Sequence, residues 1–233
     1  MLDLSKLQNI LGIKFNNPEL LKQALVHSSY VHENPVVAPV SNERLEYLGD
    51  AVLGFVFADM LFSKFPQYQE GHLTRFRSLL VRRSTLCRLA LRISLGEYLY
   101  LGKGEEVSHG RQKPANLAGA LEALIAAVYL DQGLFASRDF VFFLFNEEIN
   151  DLLNQISSDD YKSRLQELVQ EKKQITPSYN ILESAGPAHD KMFVAEVSIG
   201  DQVISRGSGS SKKKAEAAAA RIALDLLKDT LQD

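Results

Sequence analysis

A chain of 233 residues with 45% hydrophobic content is long and apolar enough to bury one large core or two smaller ones. A lone cysteine, Cys87, excludes an internal disulfide and any zinc site built from several cysteines, and the five histidines show no metal-binding spacing such as His-x-x-x-His. The net charge of −3 lacks the global basic footprint of a nucleic-acid binder, so any such contact must rest on local clusters.

Met1-Leu2-Asp3-Leu4 lacks the basic and apolar segments of a secretory leader, and no run approaches the ~18 apolar residues needed to span a bilayer. A cytoplasmic location with no membrane contact is the resulting expectation. From Leu4 to about Asn154 the pattern is almost continuously helical, with apolar residues three and four apart in Leu20-Leu21-Ala24-Leu25, Leu79-Leu80-Leu86-Leu89-Ala90 and Leu117-Leu121-Leu124-Ile125-Val128. Breaks fall at Asn16-Asn17-Pro18, from Asn34-Pro35 to Pro39, at Phe65-Pro66, at Gly102-Lys103-Gly104, and from His109 to Pro114. Phe140-Val141-Phe142-Phe143-Leu144-Phe145, apolar on every side of a helix, suits a core more than a subunit contact. The polar stretch Gln155-Ile156-Ser157-Ser158-Asp159-Asp160 can serve as linker and helix cap together.

Beyond it the periodicity changes. Tyr161 to Lys173 is helical, Ser178 to Ser184 and Met192 to Ile199 alternate as strands, and Gln202 to Ser205 suggests a third strand after a Gly200-Asp201 turn. An Ala/Leu-rich helix from Ala215 to Leu227 closes the chain. The expectation is an all-α domain over 1–154, a linker over 155–160, and a small α+β domain over 161–231 in the order α-β-β-β-α.

The chemistry sits in Asn42-Glu43-Arg44-Leu45-Glu46-Tyr47-Leu48-Gly49-Asp50, which runs on into the apolar Ala51-Val52-Leu53-Gly54-Phe55-Val56-Phe57. Offsets of three and seven residues bring Glu43, Glu46 and Asp50 within roughly 60° of one another on a helix. Acids on the inward stripe of an apolar helix need a cationic partner, and a hard divalent cation such as Mg²⁺ suits all-oxygen donors. A solvated acidic face is the alternative. Glu122 is the only acid in the small and apolar run Asn116 to Leu130. It either pairs with an arginine such as Arg44 or Arg83, or joins Glu46 and Asp50 as an oxygen ligand. In the second case a cation would acidify and orient water and offset charge on a phosphodiester. His27 reads as a hydrogen-bonded histidine at a helix end; Ser28 has no base at useful spacing, and no nucleophilic triad is visible.

The stretch Asn42 to Leu53 resembles the hallmark motif of the ribonuclease III family. Glu122-Ala123-Leu124-Ile125, with Tyr129-Leu130-Asp131 behind it, resembles that family's second acidic motif, and Glu70-Gly71 matches a third position. The C-terminal portion resembles a double-stranded-RNA-binding domain, and the likeness covers nearly the whole chain in the bacterial order. It implies an all-α endonuclease domain followed by a small α+β RNA-binding domain. Asp50 and Glu122 match the catalytic pair, Glu46 a further direct metal ligand, and Glu43 and Glu70 acids at the rim of the catalytic valley. Tyr47 stands where the family places a Phe that plugs into a partner subunit. The implied cofactor is Mg²⁺, with Mn²⁺ as a possible substitute. The implied enzyme is a homodimer that cleaves both strands of double-stranded RNA, leaves 3′ overhangs, and processes ribosomal and other structured precursors. One position departs from the pattern: Gly119 replaces the Asp common three residues before the second-motif Glu, and a raised metal requirement is expected.

In the RNA-binding portion the resemblance makes Lys162, Gln166, Glu167 and Gln170 candidates for contacts from the first helix, and His189 in Gly186-Pro187-Ala188-His189 a candidate for the next minor groove. Lys212, Lys213 and Lys214 enter the last helix, where free N–H groups and the dipole already favour phosphate. Two competing readings are a non-cleaving binder of double-stranded RNA, favoured only by Gly119, and a helical metal phosphohydrolase acting on small nucleotides. The second would leave the C-terminal portion without purpose.

Overall fold

The computed structural model describes residues 3–185 and 191–229. The chain divides into two compact units, Met1–Ile149 and Asn150–Asp233.

The first unit begins with three short helices, α1 (Leu4–Leu11), α2 (Pro18–Ala24) and α3 (Ser28–Glu33). Each starts where the sequence supplies a cap: Asp3 accepts from Ser5 and Lys6, Asn17 accepts from Glu19 ahead of Pro18, and His27 Nδ1 accepts from Ser29. Then come α4 (Glu43–Lys64), α5 (Glu70–Val81), α6 (Arg83–Arg92), α7 (Lys103–Val107) and α8 (Pro114–Leu144), with two 3₁₀ turns at Leu95–Tyr98 and Gly110–Gln112. α4 and α8 form the central pair, and α2 and α6 also pack on α8. The core gathers Leu53, Phe57 and Leu61 from α4 with Leu121, Leu124, Ile125 and Val128 from α8, all essentially inaccessible to water. Phe57 meets Phe145 edge to face at 5.0 Å between ring centroids. Within the aromatic run Phe140, Val141, Leu144 and Phe145 are buried, as a core requires, but Phe143 is exposed.

α8 is, by length and composition, apolar enough to cross a membrane, which differs from the expectation that no run approaches that limit. Its most apolar 18-residue window is 61% buried within the unit. The helix bends at Gly133, whose φ of 82° is open to glycine and strained for other residues. Just before that bend Asp131 accepts from the Asn16 and Asn17 amides and so fastens the start of α2 to α8.

α9 (Asn146–Lys173) contains the boundary between the units. The expected linker at 155–160 is helical throughout, a correction to its reading as a cap. The 28 residues of α9 hold neither Gly nor Pro, and Ser and Asp alone only weakly disfavour a helix. In the second unit β1 (Ser178–Ala185), β2 (Met192–Ile199) and β3 (Gln202–Gly209) form an antiparallel sheet in that order, and α10 (Lys212–Asp229) packs on it. Gly200, at φ 61°, makes the β2–β3 turn. β3 runs four residues past the expected Ser205, because Arg206 to Gly209 pair with Phe193 to Glu196 of β2. A side chain at Gly207 would collide with the α10 backbone at Ala218 and Ala219, so helix and sheet approach closely there. Leu165, Val169, Val197, Ile199, Ala219, Ala220, Ala223 and Leu224 fill the space between.

Candidate active site

The start of α4 is anchored by its N-cap residue, whose side chain bonds elsewhere instead of to the helix. Asn42, 5% exposed, donates its side-chain amide to the Ala24 carbonyl and its backbone N–H to Val26. That anchor aims the first turns of α4 along α8. Gly49 then lies directly on the Glu122 backbone, so closely that a Cβ there would collide with the Glu122 carbonyl. One turn earlier Glu46 lies over Gly119, and one residue later comes Asp50. The crossing therefore puts Glu46 and Asp50 near enough to Glu122 for their charges to act on it.

Burial along the stripe is uneven. Glu46 and Glu122 are half-buried, while Glu43 and Asp50 are exposed. Glu43 accepts from the Ser41 hydroxyl at 3.0 Å. Burial pushes the Glu122 carboxyl up to about 7, and the charges of Asp50 and then Glu46 add to the effect against the opposing field of Arg83. Burial likewise raises Glu46, with Glu43 adding to it and His27 and Arg83 opposing. Among the described residues no ion pair closes on Glu46, Asp50 or Glu122, so the pairing with Arg44 or Arg83 is not formed. Arg83 acts only as a nearby field.

No group of three His, Cys, Asp or Glu side chains stands ready at metal-ligand range among the described residues. The donor set nonetheless fits a hard divalent cation. It is all carboxylate, no ion pair neutralises it among the described residues, and the charges of Asp50 and Glu46 help push Glu122 up, an effect that a bound cation would reverse.

Glu70 is not brought to this corner. At the start of α5 it accepts from Thr74 at 2.8 Å and lines a cavity of about 740 Å³ with Phe55, Phe62, Phe65, Tyr68 and Leu73. Asp50 lines a neighbouring cavity of about 520 Å³, and Arg77 borders both. Arg77 is the side chain near the acids that the sequence reading left without a role at the site; lying on α5, it carries no local signal of it. Tyr47 is 81% exposed. His27 is the helix-end histidine expected, its Nδ1 held by the Ser29 N–H at 3.2 Å and the Ser29 hydroxyl at 2.8 Å.

In the second unit Gln166, Glu167 and Gln170 share an exposed face of α9, and Lys212, Lys213 and Lys214 are exposed at the start of α10, where Ser211 accepts from the Lys214 N–H. Lys162 is engaged internally instead. Its ammonium pairs with Glu216 at 2.7 Å and lies 4.4 Å from the Tyr179 ring centroid. It therefore ties α9 to α10 and β1 instead of extending toward a ligand. His189 lies outside the described residues.

The Glu122 shift has a measurable consequence. A carboxyl that binds its proton more tightly when folded loses stability as pH rises from its unfolded value near 4.5 to about 7, and the loss is complete above that. Metal-free protein is expected to lose about 1–2 kcal/mol over this window relative to Glu122→Gln, after discounting for partial exposure. Parallel chemical denaturation of the two proteins at pH 5 and pH 8 checks it; equal pH dependence would show that Glu122 is ordinarily solvated.

Residues 17–148 match the Ribonuclease-III-like family and residues 161–227 match the Double-stranded RNA binding motif. The chain is 56% identical over 233 residues to Ribonuclease 3 of Dehalococcoides mccartyi strain CBDB1, covering 100% of this chain and 98% of the relative. It is 47% identical over 229 residues to Ribonuclease 3 of Syntrophobacter fumaroxidans, covering 96% and 94%. The crystal structure of the nuclease domain of ribonuclease III from Campylobacter jejuni superimposes with a TM-score of 0.58 at 34% identity, covering 64% of this chain and 97% of that one. The chain belongs to the ribonuclease III family, as an endoribonuclease carrying a double-stranded-RNA-binding domain.

Proposed function

We propose that this protein hydrolyses phosphodiesters of double-stranded RNA with a divalent cation held by Glu46, Asp50 and Glu122. Mg²⁺ is the resident ion of this proposal and Mn²⁺ its substitute. The observation that supports it is the Glu122 carboxyl at the α4–α8 crossing, pushed up to about 7 by burial and by the charges of Asp50 and Glu46. A bound cation supplies Lewis acidity, which makes water a nucleophile near neutral pH and offsets charge on phosphate. Asp50, exposed at the crossing, presents its oxygens to incoming phosphate, while half-buried Glu122 holds its carboxyl in a drier setting where charge acts more strongly. Glu43, tied to Ser41, orders the rim.

Tyr47 supports a homodimer. An exposed tyrosine on the helix that carries the acids suits insertion into a second copy. A study of the Campylobacter nuclease domain concerns a region involved in dimer formation. In a dimer each acid corner would serve one strand, leaving 3′ overhangs. Gln166, Glu167 and Gln170 together with Lys212, Lys213 and Lys214 would grip the duplex by its shape and phosphates. Cytosolic processing of ribosomal and other structured precursors is the cellular role of this proposal.

Incubation with a long RNA duplex tests it. Cleavage is expected with Mg²⁺ and is expected to vanish with chelator, while gel-shift binding persists. Undiminished cleavage in chelator would overturn the metal reading.

A further inference from the structure

Gly119 and Glu46 face each other across the α4–α8 crossing. A Cβ built on Gly119 would lie 2.6 Å from Glu46 Oε2, 2.7 Å from its Cδ and 2.9 Å from Oε1. The Glu46 carboxyl thus occupies the volume that any side chain at 119 would need. The cleft where this happens, about 140 Å³, is also lined by His27, Asn42, Glu43 and Asn116. Its other side chains are fastened: Asn42 to Ala24, His27 to Ser29, Glu43 to Ser41, and Asn116 to Glu105 and the Gly110 carbonyl. Among the described residues no hydrogen bond or ion pair holds the Glu46 carboxyl, so the room left at Gly119 lets it sit there.

The other glycine of the crossing behaves differently. Gly49 abuts the Glu122 backbone, which cannot give way, whereas Gly119 abuts the far end of a flexible side chain, which can. Filling Gly49 should disturb the fold. Filling Gly119 should leave the fold and move one carboxylate.

We propose that Gly119 is a positioning residue whose missing side chain seats the Glu46 carboxyl against α8, beside Glu122. The family resemblance makes this glycine a lost ligand; the collision that a Cβ would make with Glu46 gives it a second role. The inference rests on the metal reading above, so its test separates the two. Mn²⁺ is titrated calorimetrically into the RNA-free full-length wild type, Gly119→Ala, Glu46→Asp and the double variant, and metal-free thermal midpoints are compared.

Gly119→Ala is expected to weaken Mn²⁺ binding about tenfold, with a midpoint within about 2 °C of wild type. Glu46→Asp draws the carboxyl back by one methylene and relieves the collision. In the double variant the two losses are therefore expected to be less than additive. Gly119→Asp, which adds an oxygen donor as well as the Cβ, is expected to bind more tightly than Gly119→Ala. Wild-type affinity in Gly119→Ala would overturn the proposal, as would strictly additive losses or a midpoint lowered by many degrees. Failure of the wild type itself to bind Mn²⁺ would overturn the metal reading, and this inference with it.

Discussion

Asp50→Asn and Glu122→Gln are each expected to lower the rate of duplex-RNA cleavage by about 10³-fold or more while leaving gel-shift binding intact. Each substitution keeps the shape of the side chain and removes one charge from the corner where α4 and α8 cross. A cation that stabilises a phosphoryl transition state supplies several kcal/mol. Losing about 4 kcal/mol of that corresponds to about three decades in rate. The RNA-contact candidates lie on α9 and α10, away in sequence from both substitutions, so binding should survive. Glu122→Gln should also be the more stable protein above pH 7, because it removes the proton affinity that burial and Asp50 impose. A loss of activity accompanied by a gain in stability is the signature of a functional carboxylate; a structural one would lose both. Cleavage by either variant at the wild-type rate would remove that residue from the chemistry.

The second large effect is expected at a residue with no chemistry of its own. Gly49→Ala should destabilise the first unit by about 3 kcal/mol, since overpacking against backbone leaves no side chain to rotate away. The thermal midpoint should fall by about 10 °C, and activity should fall with it, because Asp50 follows Gly49 and would be carried away from Glu122. Gly104→Ala is the control: it lies in α7 with nothing within 4 Å of the added Cβ, so it should be neutral or slightly stabilising. Differential scanning calorimetry of the two variants against wild type distinguishes a packing glycine from a merely permissive one. A Gly49→Ala midpoint equal to wild type would mean that the helices can separate at no cost.

These two results depend on features of unequal legibility. Helical spacing alone put Glu43, Glu46 and Asp50 on one stripe, and the solitary acid Glu122 among apolar neighbours suggested its partner. The α-β-β-β-α order was legible for a similar reason, since periodicity and turn residues act locally. What spacing could not supply was depth: Glu46 is half-buried, yet Glu43 and Asp50 on the same stripe are exposed. Nor could it supply the contact of Gly49 with Glu122, which joins residues 73 positions apart. Glu70 shared a motif pattern with the other acids but lines a different cavity, because α5 leaves α4 through the turn at Phe65-Pro66. The polarity of 155–160 suggests a linker and helix cap, while the absence of Gly and Pro lets α9 continue through it. Lys162 looked available for RNA until Glu216 and the Tyr179 ring supplied it with partners. Apart from the helical 155–160, which is local, these are tertiary facts, fixed by packing between segments that the sequence lists far apart.

The direct test of the shared cation is crystallographic. Crystals of the full-length protein grown with Mn²⁺ and measured at the manganese absorption edge should show an anomalous peak at roughly 2 Å from carboxylate oxygens of both Asp50 and Glu122. Mn²⁺ bound only elsewhere, with the two carboxylates held apart or each neutralised by its own arginine, would contradict the account.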